Sequence, residues 1–389
     1  MIQTAYQLEV ITDLDSVSTA VMDFFHAQDT DFYPPISQRI EMHAYIASIM
    51  QPDGALIIAS DADRVIGIVG LTFAHPRFRY FIQYVATDPS YRRQGIAHLL
   101  FDKAFALLQE RGADRVTIRT WSANQRSQQL FTSTGFILYD KVFNDRGEGV
   151  HSYYFGKSFL TGYLKQEPER IGILGGMGSF STGNFIKTLT GTNKRMQGDS
   201  DSLSFLLVNE PAIPDRSTSI RENKVGEMTQ IVNAAIEKIT AGGVSHLMLL
   251  CFTLHPFINR LKIPAGTELI DLVDFTRETA AQSGDKWMLA ATLSSYAMDH
   301  FSAADIVLPR EEDRQRIQDM ISEIKTGTDP VHYKKELAAI AGENGCSGIV
   351  LGCTDLHGMY GYDKAFDGIH VLDPLTELAF MLESKRKAG

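Results

Sequence analysis

The sequence predicts an α/β protein in two parts, a strand-rich first part and a second part of parallel sheets with helices on both faces. Three observations carry this. Short apolar runs separated by turn residues fill the first half, with helical spacing between the later ones. From Arg170 onward the pattern becomes repeated strand–loop–helix units. Finally, two short apolar strands, 102 residues apart at their ends, close on matching segments, Leu250-Cys251-Phe252-Thr253-Leu254-His255 and Gly352-Cys353-Thr354-Asp355-Leu356-His357. A repeat of that size is about one small α/β lobe, so the second part reads as two pseudo-symmetric lobes.

In the first part, Ala55–Ser60 and Val65–Phe73 are β-type runs around the turn Asp61-Ala62-Asp63, a hairpin pattern. Phe81–Ala86 is the next strand. Ile96–Arg111 carries Ile96, Leu99, Leu100, Ala104, Leu107 and Leu108 at helical spacing and stops at Gly112. Val116–Trp121 is a strand, Ser127–Thr134 a short helix, and Gly135-Phe136 opens a strand. A turn at 145–149 leads to the aromatic strand Ser152–Phe155. The stretch 158–169 lacks a period and contains Pro168, which places a linker between domains 1–157 and 170–389. Beyond it, strands are expected at Ile171–Leu174, Ser204–Val208, His246–Leu250, Trp287–Thr292 and Gly348–Leu351. Helices are expected at Val225–Thr240, Glu312–Ile324 and Tyr333–Ala341.

Composition excludes several function classes. A net charge of −10 over 389 residues offers no basic excess for nucleic acid. No apolar run approaches the roughly 20 residues of a membrane span. Arg39 is the first basic residue, so no secretory or transit segment is expected. Three cysteines cannot frame a disulfide scaffold and are expected as thiols in a cytoplasmic protein. Cys346, which opens a strand and has no counterpart, reads as core.

One anion site stands out in the first part. In Val85–Leu100 a strand feeds a helix through Arg92-Arg93-Gln94-Gly95-Ile96-Ala97. Such a loop aims backbone N–H groups and the positive end of a helix at one point, which suits a pyrophosphate. Gly95 and Ala97 allow close approach, and the arginines add charge. The segment Arg92-x-x-Gly95-x-Ala97, with Asn124-x-x-Ser127-x-x-Leu130-Phe131-x-x-x-Gly135-Phe136 after it, resembles the GNAT family of N-acetyltransferases across residues 1–157. The resemblance implies an α+β domain with a mixed sheet. It also implies acetyl-CoA held by Val85, Thr87, Arg92, Arg93, Gln94, Gly95, Ile96 and Ala97, with Asn124 and Ser127 flanking the thioester. Phe131 stands where many members carry a proton-donating Tyr. Phe cannot donate, and Tyr84 and Tyr139 are the remaining phenols considered for that role.

The paired cysteines suggest different chemistry. Two strand-end thiols facing one cleft could act as base and acid on opposite faces of a carbon, the requirement for stereoinversion. A nearby histidine and helix terminus could lower their pKa. Zinc held by Cys251, His255, Cys353 and His357 is the competing reading, although C-x-x-x-H is not the usual structural-zinc spacing. With Gly175-Gly176-Met177-Gly178, Pro214-Asp215-Arg216, Thr292 and Gly352-Cys353-Thr354, the second part resembles the PLP-independent aspartate/glutamate racemases. That resemblance implies Cys251 and Cys353 as the acid/base pair, and Met177, Gly178, Thr253 and Thr354 around the substrate head. It further implies Arg216, helped by Lys325, at the side-chain carboxylate, a homodimer, and neither PLP nor metal. Phe252, Asp355 and Ser179 depart from the family's usual Asn, Glu and Pro.

The combined expectation is an enzyme that racemises aspartate or glutamate and acetylates an amino acid. An acetyl-CoA or amino-acid sensor and a dicarboxylate isomerase are the alternatives.

Overall fold

A computed structural model describes residues 6–160, 162–193 and 202–385. The chain divides into two compact units, Met1–Phe159 and Leu160–Gly389. Each has its own buried core.

The first unit runs β1 (Gln7–Ile11), α1 (Thr19–Ala27), α2 (Met42–Met50), β2 (Gly54–Asp61), β3 (Arg64–His75), β4 (Arg79–Thr87), α3 (Ile96–Glu110), β5 (Arg115–Trp121), α4 (Gln125–Ser133), β6 (Ile137–Val142) and β7 (Ser152–Ser158). One seven-stranded sheet has the order β1-β2-β3-β4-β5-β7-β6. It is mixed, because β4 and β5 are parallel and the other neighbours antiparallel. Alternation along β2 to β4 sends Leu56, Ile58, Ile68 and Tyr84 to a core with α1 and α2. Ile57, Val69, Leu71 and Ile82 go to the other face, under α3. On β4 the register shifts between Tyr84 and Ile82, leaving Gln83 as an extra residue. The β4–β5 pairing is confined to Phe81 with Thr117 and Ile82 with Ile118, although β4 continues to Thr87 and β5 to Trp121. The two strands part beyond that point.

The second unit continues with β8 (Ile171–Gly175), α5 (Ser179–Gly191), β9 (Phe205–Asn209), α6 (Arg216–Arg221), α7 (Val225–Thr240), β10 (His246–Leu249), β11 (Glu268–Ile270) and α8 (Leu272–Gln282). Then come β12 (Trp287–Ala290), α9 (Leu293–Met298), β13 (Ile306–Val307), α10 (Glu311–Lys325), α11 (Lys334–Glu343), β14 (Gly348–Leu351), β15 (Ala365–Phe366), β16 (Ile369–Leu372) and α12 (Pro374–Lys385). Its sheets have the orders β11-β10-β8-β9 and β13-β12-β14-β16-β15. Every pairing is parallel except the terminal β15–β16 hairpin. Setting that hairpin strand aside, both lobes place their strands in the same sequence-relative order, second-first-third-fourth. Cys251 follows β10 and Cys353 follows β14, the third strand of each lobe. The two-lobed repeat suggested by the cysteine segments is therefore a repeat of topology.

The stretch 158–169 differs from a free connector. Ser158 ends β7, and Phe159 packs on the first unit's core. Leu160 and Leu164 are buried in the second unit's core, where the Tyr163 hydroxyl donates to the Asp271 carbonyl at 2.7 Å. Apolar residues without a period look like a linker in the sequence, and the Asp271 carbonyl that holds Tyr163 lies 108 residues further along the chain. Among the described residues, no helix is long and apolar enough to cross a membrane.

Candidate active sites

Cys251 and Cys353 each sit where a strand gives way to a 3-10 segment, with extended backbone. Both are buried, as are the hydroxyls around them. Cys251 faces Arg216, the first residue of α6. Burial disfavours the guanidinium charge there, but the Cys251 sulfur and Asp215 outweigh it and raise the Arg216 pKa. Arg216 also ties two segments together. It donates to the Met177 carbonyl at 2.5 Å and to the Pro214 carbonyl at 3.2 Å, leaving its buried Nε–H without a partner.

Cys353 has a different neighbourhood. Its Sγ lies 3.6 Å from Asp355 Oδ2, which is 3.8 Å from Lys325 Nζ at the end of α10. Burial, and then the Asp355 charge, push the Cys353 thiol far up. Burial likewise raises Asp355, against the pull of Lys325 and of the hydroxyl of Ser181. Cys251 adds a small upward push at Cys353.

The glycine loop closes the arrangement. Gly178 has φ +152°, and a Cβ there would fall 2.5 Å from Ser181 Oγ and 2.8 Å from Asp355 Oδ1. Only glycine lets the loop lie against the Cys353 segment. Ser181 Oγ donates to the Gly178 carbonyl (2.9 Å) and approaches Thr354 Oγ1 (3.4 Å). Thr253 joins a hydroxyl cluster with Thr292 (3.4 Å) and Ser295 (3.3 Å). Met177, Gly178, Arg216, Cys251, Lys325, Cys353 and Thr354 thus form one connected set, with Thr253 two residues from Cys251. Ser181 and Asp355 complete it. Ser181 could have been noticed as the first-turn hydroxyl after the glycine loop, whereas its contact with Thr354 has no sequence signal.

The two histidines do not serve the thiols as expected. His255 Nδ1 donates to the Cys251 carbonyl at 2.8 Å and Nε2 accepts the Leu272 amide at 3.1 Å, an arrangement of neutral imidazole. Burial lowers its pKa. His357 lies between Asp373 (2.9 Å) and Thr188 (2.9 Å). Both rings brace the strand-end segments, and neither has a nitrogen left for metal. Cys346 is buried core, its Sγ 3.6 Å from the Asn344 carbonyl.

In the first unit, the parting of β4 and β5 opens a cavity of about 1600 Å³. Val85, Thr87, Arg92, Arg93, Gly95, Ile96, Ala97, Asn124, Ser127 and Phe131 line it. Gln94 does not, because its side chain is bonded to Tyr6 and the Ser90 carbonyl. No side chain caps the N-terminus of α3. Gly95 there has φ +84° and open space where a Cβ would be. Arg92 binds the Thr87 carbonyl at 3.0 Å and pairs with Asp31. Asn124 caps α4 by accepting the Ser127 amide at 3.1 Å. Phe131 packs in an aromatic cluster with Phe101, Phe136 and Phe155. Tyr139 is sealed against Thr117 away from the cavity, while Tyr84 lines it with a hydroxyl that has no partner.

Two matched parallel lobes carrying a pair of strand-end thiols, joined in one chain to a mixed sheet with a split strand pair, define the class: an isomerase-type fold fused to an acyltransferase-type fold. The chain belongs to the Asp/Glu/hydantoin racemase family, whose model matches residues 174–382, and residues 21–136 match the acetyltransferase (GNAT) family model. It is similar to an aspartate racemase of Picrophilus torridus, at 22% identity over 56% of this chain and 94% of that one (TM-score 0.45). An aspartate racemase homologue from Pyrococcus horikoshii is 16% identical over 55% and 97% of the two chains (TM-score 0.43). The ribosomal-protein-S18-alanine N-acetyltransferase of Escherichia coli is 14% identical over 40% and 94% (TM-score 0.32).

Proposed function

We propose that the second unit interconverts the enantiomers of an acidic amino acid, aspartate or glutamate, by two-thiol acid/base chemistry, and that the first unit transfers an acetyl group from acetyl-CoA to an amino acid. The observation that carries the racemase reading is the pair of cysteines ending equivalent strands, each with its own electrostatic partner. Cys251 has a guanidinium beside it, the partner a thiolate needs, and serves as the base. Cys353 is held as a thiol by burial and by Asp355, and serves as the acid that protonates the opposite face. In the reverse direction the roles exchange. Arg216 Nε, Lys325, Thr253, Thr354 and the Met177–Gly178 backbone surround the substrate's charged groups. With no PLP to absorb the carbanion's charge, these donors, buried apart from the partly exposed Gly178 and Lys325, would act where their field is little screened.

In the first unit, the uncapped α3 terminus with Arg92 and Arg93 would hold the pyrophosphate of acetyl-CoA, and the open edge of β4 at Val85–Thr87 its pantetheine arm. The thioester supplies an activated acetyl group. Racemisation alone stalls near an even mixture, and acetylation would draw one enantiomer off.

L- and D-aspartate and L- and D-glutamate, supplied separately and followed by circular dichroism, test the first claim. Loss of optical activity without added cofactor supports it, and an unchanged signal for all four sinks it. Adding acetyl-CoA and following N-acetyl product and free thiol tests the second. Equal thiol release from L-substrate by wild type and Cys251→Ala would disprove the coupling.

A further inference from the structure

The cavity of the first unit has walls that acetyl-CoA binding leaves unexplained. Three arginines from separate elements line it: Arg39 from the α1–α2 connection, Arg119 on β5, and Arg146 between β6 and β7. Tyr45, which also lines it, has a phenol raised by burial and drawn back by Arg39, Arg119 and Arg146 together, so the three cations converge on one place. Burial lowers Arg146 to about 10, with Arg119 and Arg39 repelling it further.

Three further arginines of this unit are paired: Arg64 with Asp88, Arg92 with Asp31, Arg111 with Asp53. Among the described residues, none of the three has a carboxylate within ion-pair distance. Arg119 donates to the Tyr154 hydroxyl at 3.2 Å, and Arg146 to Ser152 Oγ at 3.0 Å and the Tyr33 carbonyl at 2.5 Å. Asp145, which attracts Arg146, accepts the Ser152 hydroxyl at 2.5 Å. Asp31 also lines the cavity but is paired with Arg92, and cations that converge there with no ion-paired carboxylate of their own fit an anionic ligand. A second observation agrees: Tyr84, 1% exposed, lines the same cavity with an unpartnered hydroxyl. Such a buried donor wants an acceptor.

We infer that Arg39, Arg119 and Arg146 form the acceptor subsite of the transferase, and that the acceptor is an amine bearing two carboxylates, an acidic amino acid. This rests on the transferase reading and names its substrate class. Two carboxylates answer the cationic cluster, leaving the α-nitrogen to react. The surrounding positive charge also favours the free amine over the ammonium, so the nucleophile is released where it is needed. In the transfer the amine nitrogen bonds to the thioester carbonyl carbon and the carbon–sulfur bond breaks. The sulfur leaves with that electron pair and takes up the proton the nitrogen loses, giving an N-acetyl amide and free coenzyme A. His75, lowered to about 4 by burial and by Arg119 and Arg77, accepts two backbone N–H groups at Nδ1 and is no base here.

The test uses the full chain and two readouts. Acetyl transfer is measured to aspartate, glutamate, asparagine, glutamine and the diamine putrescine. Binding of glutamate and of acetyl-CoA is measured by calorimetry in wild type, Arg119→Gln and Arg146→Gln, so that any binding to the racemase unit cancels in the comparison. The expected result is a kcat/KM for the dicarboxylates about a hundredfold or more above the amides. Each substitution should raise KM for glutamate about tenfold or more and remove one calorimetric glutamate site, with acetyl-CoA affinity changed less than about twofold. Equal transfer to the amides, preference for putrescine, or weakened acetyl-CoA binding in the variants overturns the proposal and leaves the transferase reading standing. Acetyl-CoA binding without transfer to any amine overturns both.

Discussion

At the scale of single residues, the second unit separates groups that react from groups that hold. His357 and Asp373 form a buried contact, and the Asp373 carboxyl, burdened by burial, is brought below its usual value by His357, the Gly358 amide and Thr376. Removing the ring in His357→Ala strands that carboxylate, and urea unfolding should show a loss of about 3–5 kcal/mol. His255 adds a pH dependence. Its pKa is lower in the folded chain than in the unfolded one, so the unfolded state binds the extra proton first. Stability is full above about pH 6.5 and falls as pH drops below it, by up to about 1.4 kcal/mol per unit until the folded pKa is reached. Urea midpoints for wild type and His255→Gln between pH 7.5 and 5 check this, with a shallower slope expected for the variant. The spacing of these histidines four residues after each cysteine was plain in the sequence. Their bracing role was not, because the Leu272 amide and Asp373 that define it lie 16 or 17 residues further along the chain.

Where strands hand over to helices, Gly178 stands at the N-terminus of α5 and Gly95 at that of α3. Gly178→Ala would drive a methyl group into Ser181 and Asp355 while forcing a backbone angle that side chains resist. Racemisation should fall by about a hundredfold or more, with far-ultraviolet circular dichroism unchanged. Gly95→Ala meets no atom within 4 Å, so its cost is the left-handed backbone alone, about 1–2 kcal/mol. It should appear as weaker acetyl-CoA binding by calorimetry, with glutamate racemisation untouched. Strands β2 to β10, β12 and β14 were legible as apolar runs bounded by turn residues, whereas β1, β11, β13, β15 and β16 were not expected; the expected Val225–Thr240 helix coincides with α7, and Ile96–Arg111 ends one residue beyond α3. Helices α1 and α2 were not anticipated, although they bury Phe24, Phe25, Ile46 and Ile49. The arginine subsite could not be read either, since residues 39, 119 and 146 meet only after the sheet forms.

For the whole molecule, separate cores predict separate behaviour. Scanning calorimetry should resolve two transitions, and saturating acetyl-CoA should raise one of them by about 2–4 kcal/mol of added stability while leaving the other in place. A single transition moved as a whole would mean the units unfold together. Fold class and two-part organisation were readable because the hydrophobic pattern changes near residue 170 and the cysteine segments repeat. The packed state of 158–169 was not, since Leu160 and Leu164 find partners only in the completed core.

The most direct measurement follows deuterium from D2O into aspartate and glutamate during the first turnovers, in wild type, Cys251→Ala and Cys353→Ala. Inversion by two thiols puts label in the newly formed enantiomer while recovered substrate keeps its proton, and it should slow at least about a thousandfold in either variant. Early label in both enantiomers, or inversion that survives loss of either sulfur, would contradict it.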